Sequence, residues 1–91
     1  MGIFYWNQDK NLQIQAERNL SFEQILYAIE NNHLLDILKH PNQAKYRDQI
    51  LLVVRIQNYI VLVPAVETNQ GLFLKTAFPS RKMTKKYLEG K

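Results

Sequence analysis

The sequence predicts an α+β domain in the order βααββββα, an antiparallel β-meander with two N-terminal helices packed on the sheet and a basic helix at the C-terminus. Three observations lead there. Ser21-Phe22-Glu23-Gln24 has the form of a capping box at the head of an amphipathic stretch. Ile50 to Ile56 and Tyr59 to Val66 are β-rich runs separated only by Gln57-Asn58, a two-residue hairpin loop. Both faces of the first run are apolar, with Ile50, Leu52, Val54 and Ile56 on one and Leu51 and Val53 on the other, and such strands are covered on both sides.

Each element has its own local signal. Ile3 to Trp6 is aromatic and apolar and suits a short first strand. Asn7 caps a helix with Asp9 in its first turn, and Leu12 and Ala16 share a face at i, i+4. Asn19, a residue that tolerates left-handed geometry, ends it. In the second helix Phe22, Ile25, Leu26 and Ile29 follow the helical period, Leu20 and Ile25 form a hydrophobic staple, and Asn31-Asn32 closes the segment.

Leu34 to Lys39 reads as a strand stopped by His40-Pro41-Asn42, because proline holds the preceding residue extended and favours a turn. Residues 42–49 are polar and loop-like. A loop around Asn69-Gln70-Gly71 leads to a strand over Leu72 to Phe78, ended by Pro79, and Ser80 caps a final helix to about Leu88. The first two helices are expected to cover one sheet face, and the basic helix to lie at the edge of the other.

Strand parity brings separated charges together. With Gln57-Asn58 as the loop, Arg55 pairs with Ile60 and shares a face with Leu51, Val53, Leu62 and Pro64. With residues 68–71 as the next loop, Ile60 lies beside Pro79, and Lys75 and Ala77 face the same way as Arg55. Arg55, Lys75, Arg81 and Lys82 then gather on one side of the sheet.

The formal charge is +4, from 12 Lys+Arg against 8 Asp+Glu. Residues 1–80 balance to zero, so the whole excess sits in the last eleven residues, where Arg81, Lys82, Lys85, Lys86 and Lys91 oppose only Glu89. The composition excludes several classes. Without cysteine there is no disulfide framework, thiolate zinc site or thiol nucleophile, and a reducing cytoplasmic setting is the reading. Ile50 to Val54, the longest apolar run, is far short of the roughly 18 residues that span a bilayer, and MGIFYWNQDK is no leader, so no membrane association is expected. A single domain over residues 1–91 buries only about 60 to 65% of its unfolded surface, which leaves room for a partner or a homodimer.

With these elements in place, three segments resemble a known family. Phe4-Tyr5-Trp6-Asn7-Gln8-Asp9-Lys10-Asn11 is similar to the F-x-W-D-x-x-K-N start of BrnT-type toxins, a branch of the RelE-like ribonuclease superfamily. Leu20-Ser21-Phe22-Glu23-Gln24 resembles their V/I-S-F-E-E stretch. Ser80-Arg81-Lys82-Met83-Thr84-Lys85-Lys86-Tyr87 resembles their S-A-R-K-A-T-x-x-E-x-x-x-Y end, without the alanine and with the tyrosine closer. The centre departs from the family, since Glu17-Arg18-Asn19 stands where members carry a Lys-His pair. The resemblance implies a RelE/BrnT-like fold and a growth-inhibiting toxin of a bacterial toxin–antitoxin system. It would cleave RNA without metal or cofactor, and a cognate antitoxin of the ribbon-helix-helix type would neutralise it.

Metal-free cleavage of RNA needs the 2′-OH deprotonated, the phosphorane charge stabilised and the leaving 5′-oxygen protonated. Arg81 and Lys82 are the candidates for the charge, since a guanidinium grips two phosphate oxygens at once. Tyr87 is a candidate proton donor, provided its pKa is lowered, or a base-stacking ring. His40, at a strand end, is the candidate imidazole, a side-chain type whose unperturbed pKa lies near neutrality. Arg55, Lys75, Lys85 and Lys86 are the candidate phosphate contacts. Each has a plainer reading: a solvated helix start for Arg81 and Lys82, an amphipathic packing ring for Tyr87, a loop histidine for His40. His33 reads as a helix-end dipole partner, Glu67 as a strand-end base or a solvated acid, and Tyr5 and Trp6 as core or rim. Two other functions fit the same composition: a non-catalytic nucleic-acid-binding module, and a protein-interaction domain whose basic tail meets an acidic partner.

Overall fold

The computed structural model describes residues 3–89, so Lys91 of the basic tail lies outside the described residues. The elements are β1 (Phe4–Trp6), α1 (Gln8–Arg18), α2 (Phe22–Glu30), β2 (Leu34–Lys39), β3 (Gln49–Ile56), β4 (Tyr59–Thr68), β5 (Gly71–Leu74), β6 (Phe78–Pro79) and α3 (Arg81–Thr84), which runs on as a π-helical turn, Lys85–Glu89. The class is α+β. The sheet order is β1-β5-β4-β3-β2, with β6 also paired to β4.

The helix boundaries follow from their caps. The Asn7 side chain accepts from the Lys10 N–H, and Asn19 ends α1 in left-handed geometry at φ 56°. The Ser21 side chain accepts from the Gln24 N–H at the head of α2. Phe22, Ile25, Ala28 and Ile29 then face inward. In α1 the buried face is not the Leu12/Ala16 one, since Leu12 is 53% exposed and Ala16 is exposed. Asn11 and Ile14 are buried instead. Asn11 is needed inside because it joins the two helices: its Oδ1 accepts from the Phe22 N–H and its Nδ2 donates to Glu23 Oε1, each at 2.8 Å.

The sheet is mixed rather than a pure antiparallel meander. Strands β2 to β5 pair antiparallel in sequence, but β1 adds parallel to β5, with Tyr5 opposite Phe73. The β4–β5 hairpin meets the chain just before β1 at Gly71, whose φ is +136° and where a Cβ would collide with the Ile3 carbonyl.

The expected strand over Leu72 to Phe78 is broken. Lys75 N–H still bonds Pro64 C=O, but Phe78 then pairs with Leu62, so Thr76 and Ala77 together oppose Val63. This bulge corrects the predicted register. Pro79 sits opposite Val61 rather than Ile60, and the Ser80 N–H takes the Ile60 carbonyl at 2.9 Å. Ala77 turns to the opposite face from Arg55 and is buried beneath the helices. Lys75, before the bulge, keeps the face predicted for it.

Two cores result, one on each face. The first holds Ile14, Phe22, Ile25 and Ile29 of the helices against Leu52, Val54, Val61, Val63 and Leu74 of the sheet. The second is Val53, Ile60 and Leu62, covered by Met83, Tyr87 and Leu88. The terminal helix therefore lies across the second face, further onto it than the edge position expected. Among the described residues no helix is long and apolar enough to cross a membrane.

Candidate functional site

The terminal helix is fastened to the second face at two points. Ser80 caps it by accepting from the Met83 N–H at 3.1 Å. The buried Thr84 hydroxyl accepts from the Ile60 N–H at 2.9 Å and donates to the Ser80 carbonyl at 2.7 Å. One side chain thus satisfies a β4 donor that β6 leaves free and holds the helix on the sheet. Three residues on, less than one turn, the Tyr87 O–H donates to Asp36 Oδ2 at 2.7 Å.

Asp36 reaches that position because β2 carries its own bulge. Leu34 pairs with Val54 and Asp36 with Val53, so Leu35 is the extra residue. The shift turns Asp36 to the second face. Its other oxygen, Oδ1, accepts from the Ile37 N–H at 2.8 Å, which orients the carboxylate. Asp36 was not anticipated from the sequence, where β2 reads as an unbroken strand.

This contact decides the chemistry of Tyr87. Its pKa is raised above the ordinary tyrosine value, chiefly by the hydrogen bond to Asp36, then by desolvation and by the Asp36 charge. The lowered pKa required of an easy proton donor is the reverse of what Asp36 produces. The ring packs on the second core, and Lys86 Nζ lies 5.7 Å from its centroid.

Arg81, Lys82, Lys85 and Lys86 are all exposed. Arg55 lies on the same face, opposite Ile60, and is therefore one strand position from the Thr84 anchor. Its Nε donates to the Gln57 carbonyl at 2.9 Å, which folds the guanidinium back on its own hairpin. Lys75 is exposed on this face near the bulge. The α-helical part of the terminal segment is a single turn of four residues, and its Met83 N–H is already taken by Ser80. The cations are therefore presented on side chains from a short, capped helix.

His40 lies at the other end of β2. Its Nδ1 accepts from the Asn42 N–H at 3.0 Å, and its ring rests on Tyr46 with centroids 4.1 Å apart. The acceptor role of Nδ1 leaves Nε2 as the nitrogen for a ligand or a proton transfer. Lys45 Nζ is 5.3 Å from the Tyr46 centroid. Tyr46 was not singled out in the sequence, where it is one polar-loop residue among eight.

The remaining expectations resolve simply. Trp6 packs on the first core with its ring 5.4 Å from that of Phe22, and Tyr5 rests on Phe73 while bonding Thr68 Oγ1 at 2.7 Å. His33 is exposed, and its carbonyl accepts from Arg55 N–H. Glu67 is exposed at the rim of an apolar groove of about 340 Å³ on the first face, lined by Ile3, Phe4, Ile37 and Leu72 among others. Among the described residues no three His, Asp or Glu side chains gather as a metal-binding group.

No family model, curated protein or solved structure matches this chain.

Proposed function

We propose that the protein is a cytoplasmic RNA-cleaving toxin of a bacterial toxin–antitoxin pair, with RNA bound across the second sheet face and its terminal helix. The observation that carries this reading is the placement of charge. Four cations stand exposed on a helix fastened at Thr84 and Tyr87, while the rest of the chain balances to zero. Such an arrangement attracts a polyanion and gains from counterion release.

The sequence resemblance supplies the choice of RNA cleavage over simple binding. Its three segments are also the joints of the fold: Trp6 packs on Phe22, Asn11 bonds Phe22 and Glu23, and Ser80 and Thr84 bond Ile60 and one another. In the proposed reaction the 2′-oxygen attacks phosphorus and the P–O5′ bond breaks. Arg81 and Lys82 hold the phosphorane charge, and His40 Nε2 and the Tyr87 hydroxyl are the candidate proton carriers. A ribbon-helix-helix antitoxin would be the neutralising partner.

A non-catalytic RNA-binding module is the second reading, favoured by one observation. Tyr87 holds its proton in a hydrogen bond to Asp36 that raises its pKa, which makes it a poor acid for the leaving oxygen. Induced expression separates the two. A cleaving toxin arrests growth with a degraded transcript pool, and Arg81→Ala relieves the arrest while the domain stays folded. Growth arrest with intact transcripts would leave the binding module, and no effect on growth would defeat the toxin reading.

A further inference from the structure

We propose that the cavity between the 40–49 loop and the sheet receives a single RNA base and sets which base is preferred; this rests on the RNA-binding reading above. The cavity measures about 350 Å³ and is lined by Lys39, His40, Gln49, Ile50, Leu51 and Pro64. That volume is at the low end for small-ligand sites, the scale of one nucleotide rather than a folded segment.

Its placement connects it to the basic helix. Leu51 and Pro64 are register partners on the second face, and Leu51 packs against the core that Met83, Tyr87 and Leu88 cover. A strand of RNA whose phosphates meet the terminal helix therefore runs along the face on which this cavity opens. No acid lines it, and Lys39 stands at its edge. The groove on the first face, by contrast, is apolar with Glu67 at its rim, a poor environment for a phosphate.

Its chemistry suits a base. Leu51 and Pro64 form an apolar floor for a ring face, and His40 is a planar wall. That wall is held before any ligand arrives: Asn42 bonds Nδ1, the Tyr46 ring backs the imidazole, the His40 N–H bonds the Gln49 carbonyl at 3.3 Å, and Gln43 Nε2 bonds the His40 carbonyl at 2.6 Å. Gln49 spends its backbone on the loop, donating to Tyr46 C=O at 3.0 Å and accepting from His40. Among the described residues its carboxamide has no hydrogen-bond partner, which leaves it for a ligand. A carboxamide offers a donor and an acceptor side by side, the pattern that reads the edge of a base.

The test is fluorescence anisotropy of the purified full chain with short labelled oligo(A), oligo(C) and oligo(U) at fixed salt. The wild type is expected to bind one of the three about five- to a hundred-fold more tightly than the weakest. Gln49→Ala should bring the three affinities together, and Gln49→Glu, which keeps the shape but removes the donors, should change their order. Arg81→Ala should weaken all three alike. Equal affinities in the wild type, or a preference unchanged in both Gln49 variants, would overturn the base pocket and leave RNA binding standing. No binding to any oligonucleotide would overturn both.

Discussion

The two faces of the sheet are built to different standards. On the first, two capped helices bury a continuous core around Phe22, Ile14 and Ile25, and the buried polar side chain beside it, Asn11, is hydrogen-bonded at both its oxygen and its nitrogen. On the second, three buried sheet residues are covered by one short helix, half of it π-helical, and two side-chain hydrogen bonds hold it there. The first face stabilises the domain. The second trades apolar cover for exposed cations, and a thinly held element is the kind that opens locally without global unfolding. On the proposed reading, stability and RNA contact are thus separated by the thickness of one sheet.

The largest test of that difference is a pair of truncations. Phe22→Ala should cost about 3–5 kcal/mol in urea denaturation, because a fully buried ring is removed from the main core. Leu88→Ala, half-buried on the second face, should cost about 1 kcal/mol. Equal costs would mean that the second core is as structural as the first.

Next come the two buried polar joints. Asn11→Ala leaves the Phe22 N–H without an acceptor, and Thr84→Val does the same to the Ile60 N–H, each for about 1–3 kcal/mol. Their locations should differ under hydrogen exchange. The Asn11 variant should lose protection across α1 and α2, whereas the Thr84 variant should lose it only in residues 81–89 and at Ile60. Ser80→Ala should be milder, about 1 kcal/mol, and confined to the terminal helix.

The smallest effect concerns Tyr87 and pH. Because its pKa is raised in the folded state, the Tyr87–Asp36 contact is fully present below the ordinary tyrosine pKa and is lost as pH rises through the raised value. Tyrosinate absorbance should therefore show one late-titrating tyrosine that Tyr87→Phe removes. Asp36→Asn should move it back toward the ordinary value.

Local signals located most of the fold. Ser21 with its following apolar period marked α2, Leu34 to Lys39 matched β2, and Gln57-Asn58 set the Arg55–Ile60 pairing. What escaped were features decided by distant partners. The parallel docking of β1 on β5 joins residues far apart in the chain, and nothing near Phe4 signals its direction. The two bulges, at Leu35 and at Thr76-Ala77, change parity without a glycine or proline inside them to mark the place. They turned Ala77 to the first face and brought Asp36 to Tyr87. Asn11 belonged to a quoted motif, yet its burial followed only from the Phe22 N–H that it satisfies. For the candidate site, the cations were legible as charge imbalance and strand parity. Tyr46, Gln49 and the cavity that Gln49 and His40 line were not, because a polar loop has no periodicity from which to read its packing.

The most direct test of the division between the faces is an amide NMR titration of the full chain with a short single-stranded RNA. Shifts are expected at Arg55, at residues 81–87 and around the His40–Gln49 loop, with α1 and the exposed side of α2 unmoved. Shifts concentrated on α1 and α2, or no shifts at RNA concentrations that saturate basic RNA-binding domains, would contradict the account.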